Sequence, residues 1–399
     1  MRILATLLVI GLLSTACFAS LLDTTDLYLG SDPAFGGNLG AYLYNKKAGV
    51  EGGINFLNNM EIGKGLLDQI PGYTGSNLTV KDQFSAFYIA YNKPLGNDMW
   101  WNIGYSKVRM PMLSVKYKLQ ALDTAKYDTY LYNDGESFYA ACAKNFSRNL
   151  LLGAEVALNK SSSTTFQSQN NVQKALLGGI SEAENTVASN YFLSYRIGGI
   201  SILDPKSKLT FDHVILTHYL FDSSGKLLTG AKVDVEGNTV PPAISSVGYI
   251  YDLNQNVQLG GSVSMFWPVK FTQVGNVVTN GGPQSETEMY LRGYKTYTLA
   301  GEYKVENKYA FADWVKGLVL QGYWNWSDEY AGQFSSDRAG VVGLGGYSAN
   351  TGLNIQKSLN GQTKIVGGIT NLRTLNNNGD KLFGESNLTS FYVSVQHLM

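Results

Sequence analysis

The sequence predicts an all-β protein: a single transmembrane antiparallel β-barrel of about fourteen strands with a small N-terminal plug. Three observations predict it. Candidate strands are two-faced with period two, as extended chain requires. Short and long connections alternate strictly along the chain, the pattern of a barrel with short periplasmic turns and long external loops. Charged residues are only 16% of the 399, while Gly (44) and Tyr (26) are abundant. The formal net charge of zero excludes a strongly basic nucleic-acid-binding surface, so no nucleic-acid partner is expected. Low charge with many aromatics also excludes a disordered chain.

The first element is a leader. Arg2 is followed by a mostly apolar run from Ile3 to Leu13 and then by Ser14, Thr15, Ala16, Cys17, Phe18 and Ala19. This is the layout of a secretory signal peptide over residues 1–19, cleaved after Ala19, with lipidation of Cys17 as the alternative processing. Cleavage leaves Cys142 as the one cysteine, which excludes an intramolecular disulfide and a thiolate metal cluster. After Leu13 no run of 18 apolar residues occurs, so no helical span is expected. The expected organisation is 1–19 signal peptide, 20–48 plug segment and 49–399 transmembrane β-barrel.

Strands are expected at 49–57, 84–91, 100–108, 137–144, 150–159, 187–197, 208–219, 243–251, 257–267, 290–305, 318–327, 347–357, 363–372 and 388–399. The joins at 92–99, 145–149, 198–207, 252–256, 306–317 and 358–362 are short or moderate. Those between them, at 58–83, 109–136, 160–186, 220–242, 268–289, 328–346 and 373–387, are long. All nine prolines fall in or beside connections, as expected where a missing ladder donor is costly.

The hairpin Ala243 to Trp267 shows the pattern most clearly. In its second strand Val257, Leu259, Gly261, Val263, Met265 and Trp267 share one face, and Gln258, Gly260, Ser262, Ser264 and Phe266 share the other. The apolar face is assigned to lipid and the small, mostly polar face to the interior. The faces of 150–159 and 318–327 divide the same way. Trp267, Trp324 and Trp326 at the long-loop ends, with Trp100 and Trp101 at a short-turn end, suggest two interfacial aromatic girdles. Two long connections carry structure of their own. Leu113 to Leu119 can pair with Tyr127 to Tyr132 as a hairpin above the membrane, or as an extra transmembrane pair that would make sixteen strands. Lys160 to Asn185 reads as a polar surface loop with a short helix at Val172 to Leu177.

No catalytic, cofactor-binding or metal site is expected, and the chain is not read as an enzyme. His213 and His218 are five apart on one expected strand, so they face opposite sides. Asp212 and His213 are adjacent and therefore point apart, whereas an acid–base pair must converge. Gly63-Lys64-Gly65 lacks the full phosphate-loop motif and its strand–loop–helix setting. Glu155, Arg196, Glu302 and Lys304 are assigned to the interior as mixed charges that wet a lumen.

The segment before the first strand is small-residue-rich. Phe35, Gly36, Gly37, Asn38, Gly40 and Asn45 are its candidate plug and lumen residues, with glycines allowing tight turns in a narrow space. This stretch resembles the N-terminal segment of the long-chain fatty-acid transporter (FadL-like) barrels and their PorV-like relatives. Those carry Asn-Pro-Ala-Gly-Leu before the first strand; here Asn45 precedes Ala48-Gly49-Val50, with Lys46-Lys47 replacing the proline. The turn style of Tyr251-Asp252-Leu253-Asn254-Gln255-Asn256-Val257 is also similar. The resemblance implies a fourteen-stranded outer-membrane barrel in lipid, with a plug and passage of a small apolar solute. Its PorV-like side implies the alternative, a surface scaffold or secretion-associated barrel binding a protein partner through its long loops.

Overall fold

The computed structural model describes residues 48–62, 78–96, 98–119, 122–226, 228, 230, 232–240, 243–278, 285–306, 313–328, 330–336, 340–375 and 386–398. The leader, and the plug candidates Phe35, Gly36, Gly37, Asn38, Gly40 and Asn45, lie outside the described residues.

The first five strands are β1 (Gly49–Ile62), β2 (Leu78–Pro94), β3 (Met99–Leu119), β4 (Leu122–Ser147) and β5 (Leu150–Gln169). A short helix α1 (Asn171–Leu177) follows. Next come β6 (Glu182–Ser189), β7 (Phe192–Asp204), β8 (Ser207–Leu216), β9 (Tyr219–Lys226), β10 (Lys232–Val240), β11 (Ile244–Asn254) and β12 (Val257–Phe266). The chain continues through β13 (Val269–Val278), β14 (Ser285–Leu291), β15 (Tyr294–Lys304), β16 (Val319–Ser327), β17 (Tyr330–Ser336), β18 (Gly340–Ser358), β19 (Thr363–Leu375) and β20 (Ser386–Leu398). No helix among the described residues is long and apolar enough to cross a membrane.

All twenty segments belong to one antiparallel sheet. Its pairing has two tiers. In the lower tier the partners run β1, β2, β3, β4, β5, β7, β8, β11, β12, β15, β16, β18, β19, β20, and β20 pairs β1 again. In the upper tier they run β5, β6, β9, β10, β13, β14, β17, β18. β5 and β18 are long enough to serve both tiers.

The lower tier reverses the burial pattern of a soluble protein. Its exposed face is apolar: Val247, Leu259, Val263, Leu299, Leu353, Ile355 and Val393 all point out, Val247 at 59% exposure. Its covered face is rich in polar groups: Thr210, Ser246, Ser262, Ser264, Thr298, Asn325, Asn350 and Asn354 are buried, beside a smaller apolar set of Trp100, Ala143, Leu151, Ile200, Ile250 and Val366. The alternation read in Val257 to Trp267 therefore holds, with the apolar side outward. At about 3.3 Å per residue and a tilt of about 40°, the ten steps from Val257 to Trp267 rise about 25 Å, the height of a barrel's lipid-facing band. Trp324 and Trp326 pack at 4.7 Å, and Trp326 stacks on Tyr297 at 5.5 Å, near the top of that band.

Between the tiers six strands break at one level. The breaks lie at Asn190-Tyr191, at Thr217-His218, between Val240 and Ile244, at Trp267-Pro268, at Arg292-Gly293 and between Ser327 and Tyr330. Register shows what happens there. Asn159 pairs Phe192 and Ser162 pairs Ala188, so three steps on β5 match four across the β6–β7 break. Trp326 pairs Ala349 and Tyr330 pairs Gly346, again four steps against three on β18. Between broken strands the steps agree, as in Ser194 with Leu216 and Ser189 with Phe221. Each broken strand thus carries one extra residue, a belt of aligned bulges. An extra residue swaps the faces. On β7 even-numbered residues point in, whereas on β6 the buried set is Ala183, Asn185, Val187 and Ser189. Side chains carry the ladder across the gap: Thr217 Oγ1 accepts from Leu193 N at 3.0 Å, and Asn190 Oδ1 accepts from Leu220 N at 3.2 Å.

This belt corrects the expected long loops. Much of 220–242, 268–289 and 328–346 is sheet (β9–β10, β13–β14, β17 and the start of β18), because a proline or glycine at a bulge is locally indistinguishable from one that ends a strand. Lys160 to Asn185 is also not a plain loop: β5 runs on to Gln169, and α1 spans the expected helix, capped by Asn170 Oδ1 accepting from Gln173 N at 3.0 Å. Leu113 to Leu119 does pair with the stretch around Tyr127 to Leu131, as the upper part of β3 and β4 rather than as a separate pair of strands. Pro111 lies within β3, opposite Tyr132 and beside a register irregularity before Leu113.

The abundance of Gly and Tyr has a local cause. Gly104 faces Tyr139 and Gly352 faces Tyr323 across their ladders. Each ring lies over the glycine: a Cβ on Gly352 would sit 2.2 Å from Tyr323 Cε1. Laying the ring along the wall covers the bare backbone and keeps it out of the interior. Gly352→Val should cost about 1–3 kcal/mol, read as a lower urea midpoint of the refolded barrel. Gly135→Ala, where a Cβ meets nothing within 4 Å, should leave the midpoint unchanged.

Candidate functional site

The interior of the lower tier is built from rows of facing side chains. One row, nearest the short turns, contains Asp252, Gln258, Glu302, Gln321 and Asn354, set side by side by the register. Gln321 Nε2 donates to Glu302 Oε2 at 2.7 Å, Gln258 Nε2 donates to Asp252 Oδ1, and Lys208 Nζ meets Asp252 Oδ2 at 2.9 Å. Two residues on, Ile250, Gly260, Ala300, Tyr323 and Gly352 form a row of small and apolar groups, with Ala300 packed on buried Ile250. The row after it holds Thr210, Gly248, Ser262, Thr298, Asn325 and Asn350, with Asn325 Nδ2 donating to Thr298 Oγ1 at 2.8 Å. A further row contains Asp212, Ser246, Ser264, Thr296 and Ser327, with Ser246 Oγ donating to Ser264 Oγ at 2.8 Å.

The interior charges named from sequence divide between two of these levels. Glu155 and Arg196 are direct cross-strand partners. Arg196 Nε donates to Asp212 Oδ2 at 2.7 Å, and a second guanidinium nitrogen contacts the same oxygen. The pair is covered, at 11% and 3% side-chain exposure. Glu302 lies in the lowest row, six residues from Thr296 along β15, and Lys304 is exposed at the rim beyond it. The structure therefore brings Glu155 and Arg196 together and keeps Glu302 and Lys304 apart from them. Asp212 and His213 do point apart: His213 Nδ1 meets Ser245 Oγ at 2.8 Å on the outer face, where Trp267 Nε1 also donates to Ser245 Oγ at 3.0 Å.

Above the polar rows the interior changes character. Phe192, Leu216, Tyr219, Ile244, Phe266 and Tyr294 face inward at the level of the strand breaks, Ile244 at 2% exposure. Phe192 stacks on Tyr219 at 4.3 Å and 21°, and Phe266 on Tyr294 at 4.5 Å and 4°. Val187 and Phe221 of the upper tier join Phe192 and Tyr219 in one buried cluster, with Leu216 packed against it. On the outside of β6 and β9 the exposed residues are mostly polar, namely Glu182, Glu184, Asp222, Ser224 and Lys226, with Leu220 among them. At the belt, on β6 and β9, the outer face turns mostly polar, and the buried face holds Ala183, Val187, Tyr219 and Phe221 beside Asn185 and Ser189.

The backbone architecture has close parallels among solved structures. A Pseudomonas aeruginosa FadL homologue matches with TM-score 0.55 and 16% identity over 90% of this chain and 92% of that one. The chain has the FadL-type barrel fold. The Pseudomonas putida toluene transporter TodX matches with TM-score 0.52 and 11% identity, covering 88% of this chain and 89% of its own. The Ralstonia pickettii toluene transporter TbuX matches with TM-score 0.52 and 12% identity, covering 89% and 90%. No family model and no curated protein matches the chain.

Within this FadL-type frame, sequence reasoning missed two sets of interior residues. Asp212 was not joined to Arg196, because their meeting depends on the register of β7 against β8. The aromatic collar was missed because Phe266 read as the end of a polar face and Tyr294 as an interior position of the strand expected at 290–305. A signal did exist: collar residues stand immediately beside Tyr191, His218, Pro242, Trp267 and Gly293, with one spacer at Ala243.

Asp212 Oδ1 has no protein hydrogen-bond partner, so the carboxylate depends on Arg196 for neutralisation. Arg196→Gln alone should destabilise the barrel by about 3 kcal/mol, the cost of leaving a covered charge unpaired. Arg196→Gln combined with Asp212→Asn should recover most of that loss, and the coupling is read from a double-mutant cycle of urea midpoints.

Proposed function

We propose that the protein is a bacterial outer-membrane channel for passive movement of a small apolar solute, with residues 20–48 folded as a plug in the barrel. The observation that carries this reading is the inward aromatic collar set above polar interior rows. A pore for ions has no use for Phe192, Tyr219, Ile244, Phe266 and Tyr294 facing its interior, whereas an apolar ring or alkyl chain gains burial and stacking there. The lipid-facing band supports insertion. The likeness to the two toluene transporters adds weight to an apolar cargo. The chemistry is binding and release; the reading assigns no catalytic role to any residue.

The test is uptake of toluene against uptake of glucose by cells lacking their own hydrocarbon channel and carrying this one in the outer membrane. Toluene uptake should rise with expression and glucose uptake should not. Phe192→Ser with Phe266→Ser should lower toluene uptake about tenfold, given about 0.5–1.5 kcal/mol per aromatic contact beyond area burial. Unchanged toluene uptake in that folded variant would overturn the reading, as would a mature protein that stays soluble and monomeric without detergent.

The plug rests on the sequence of 20–48, with its close glycines and the apolar Phe35, Leu39, Tyr42 and Tyr44. Removing residues 20–44 should leave a folded barrel with higher single-channel conductance in planar bilayers. Wild-type conductance in the truncated, folded protein would show that the segment blocks nothing.

A further inference from the structure

The six short turns share a feature that transport does not use. Each carries one exposed large apolar side chain: Leu95, Phe146, Leu203, Leu253, Trp314 and Leu359, at 49% to 66% exposure. Five of the six continue the outward, lipid-facing parity of their strands, so the apolar band runs past the last ladder pair into the turns. Trp314 stands on a short 3₁₀ turn, Asp313–Val315.

Around these anchors the exposed charges are mostly basic. Lys93, Lys144, Arg148, Lys206, Lys304 and Lys316 are exposed at this rim. Among the described side chains the exposed acids there are Asp98 and Asp204, and Asp204 is turned onto its own loop, accepting from Lys206 N at 2.7 Å. Half-buried Glu306 accepts from Asn256 Nδ2 at 2.6 Å. Lys144 Nζ lies 5.8 Å from the Phe146 ring, so a cation and an apolar anchor stand together at one turn. Apolar groups at the depth of the acyl boundary with cations beside them match the chemistry of an anionic phospholipid: acyl chain below, phosphate above.

We propose that the short-turn rim binds anionic phospholipid of the inner leaflet and fixes the depth of the barrel in the membrane. The proposal rests on the membrane reading above. A water-facing rim would not extend the lipid-facing parity at turn after turn, and charge complementarity selects an anionic headgroup over a zwitterionic one.

The experiment places the refolded full chain in nanodiscs of phosphatidylethanolamine with phosphatidylglycerol and reads Trp314 by differential quenching. Phosphatidylglycerol brominated near its headgroup should quench the wild-type emission lost in Trp314→Phe, and do so more than equally brominated phosphatidylethanolamine. Native mass spectrometry in detergent should show retained phosphatidylglycerol in preference to phosphatidylethanolamine. Lys93→Gln, Lys144→Gln, Arg148→Gln and Lys206→Gln together should lower that preference about tenfold or more, since each surface cation contributes about a factor of five against anionic lipid. The same four-charge change at the exposed Lys226, Lys232, Lys270 and Arg292 should leave it intact. Equal quenching by the two lipids in the wild type overturns the proposal, as does an equal loss in the second variant. The wild-type quenching decides the matter even where the first variant does not refold. Failure here with toluene uptake intact removes the rim's role and leaves the channel standing.

Discussion

Hydrocarbon offers no hydrogen bonds, and this constraint governs the lower tier. A sheet edge in lipid would leave a row of N–H and C=O groups unsatisfied at several kcal/mol each. The pairing of β1 with both β2 and β20 answers that requirement. Once the wall is satisfied by its own ladder, side chains are free to follow their surroundings. Leu259, Val263 and Trp267 therefore point outward, and Ser262, Ser264 and Gln258 can occupy the interior without breaking the sheet.

The bulge belt is where this constraint relaxes. Above the lipid band water can satisfy a backbone group, so a strand can lose its ladder for two residues at small cost. Six strands do so at one level, with Thr217 and Asn190 filling two of the gaps. One extra residue per strand exchanges the set of side chains that faces the interior, as between β7 and β6 and between β8 and β9. The change suits the surroundings on both sides: Glu182, Glu184 and Asp222 face water, and Val187, Tyr219 and Phe221 pack inward. Without the extra residue, the same alternation would keep the interior polar to the top or expose an apolar wall to water.

Much of the lower tier was legible because period-two alternation is a local property. Val257 to Trp267 shows both faces in one stretch, and the Asp252 to Asn256 turn marks where the chain reverses. The upper tier was not legible for an equally local reason. Pro268 and Gly293 remove a ladder donor or a side chain wherever they stand, and only the partner strand decides whether the sheet stops or bulges. The interior pair Arg196 and Asp212 sits sixteen residues apart on two strands, so its meeting is a matter of register rather than spacing. His213 illustrates the converse: adjacency to Asp212 already required it to face away, and it pairs with Ser245 on the outer wall.

The collar and the polar rows together set what the interior can favour. An apolar solute gains by leaving water at Phe192, Tyr219, Phe266 and Tyr294, but it gains nothing at the Asp212 or Glu302 rows, where buried polar groups would lose their hydration. On the proposed channel reading the interior is a capture surface followed by a more polar stretch, not a uniformly greasy tube. Such an arrangement suits a passive channel whose cargo must be released: a collar extending through every row would bind an apolar ring more tightly and hold it longer. The mixed charges of the lower rows, paired as Arg196 with Asp212 and Lys208 with Asp252, then keep that stretch polar without giving it the single-sign field that would draw ions in its place.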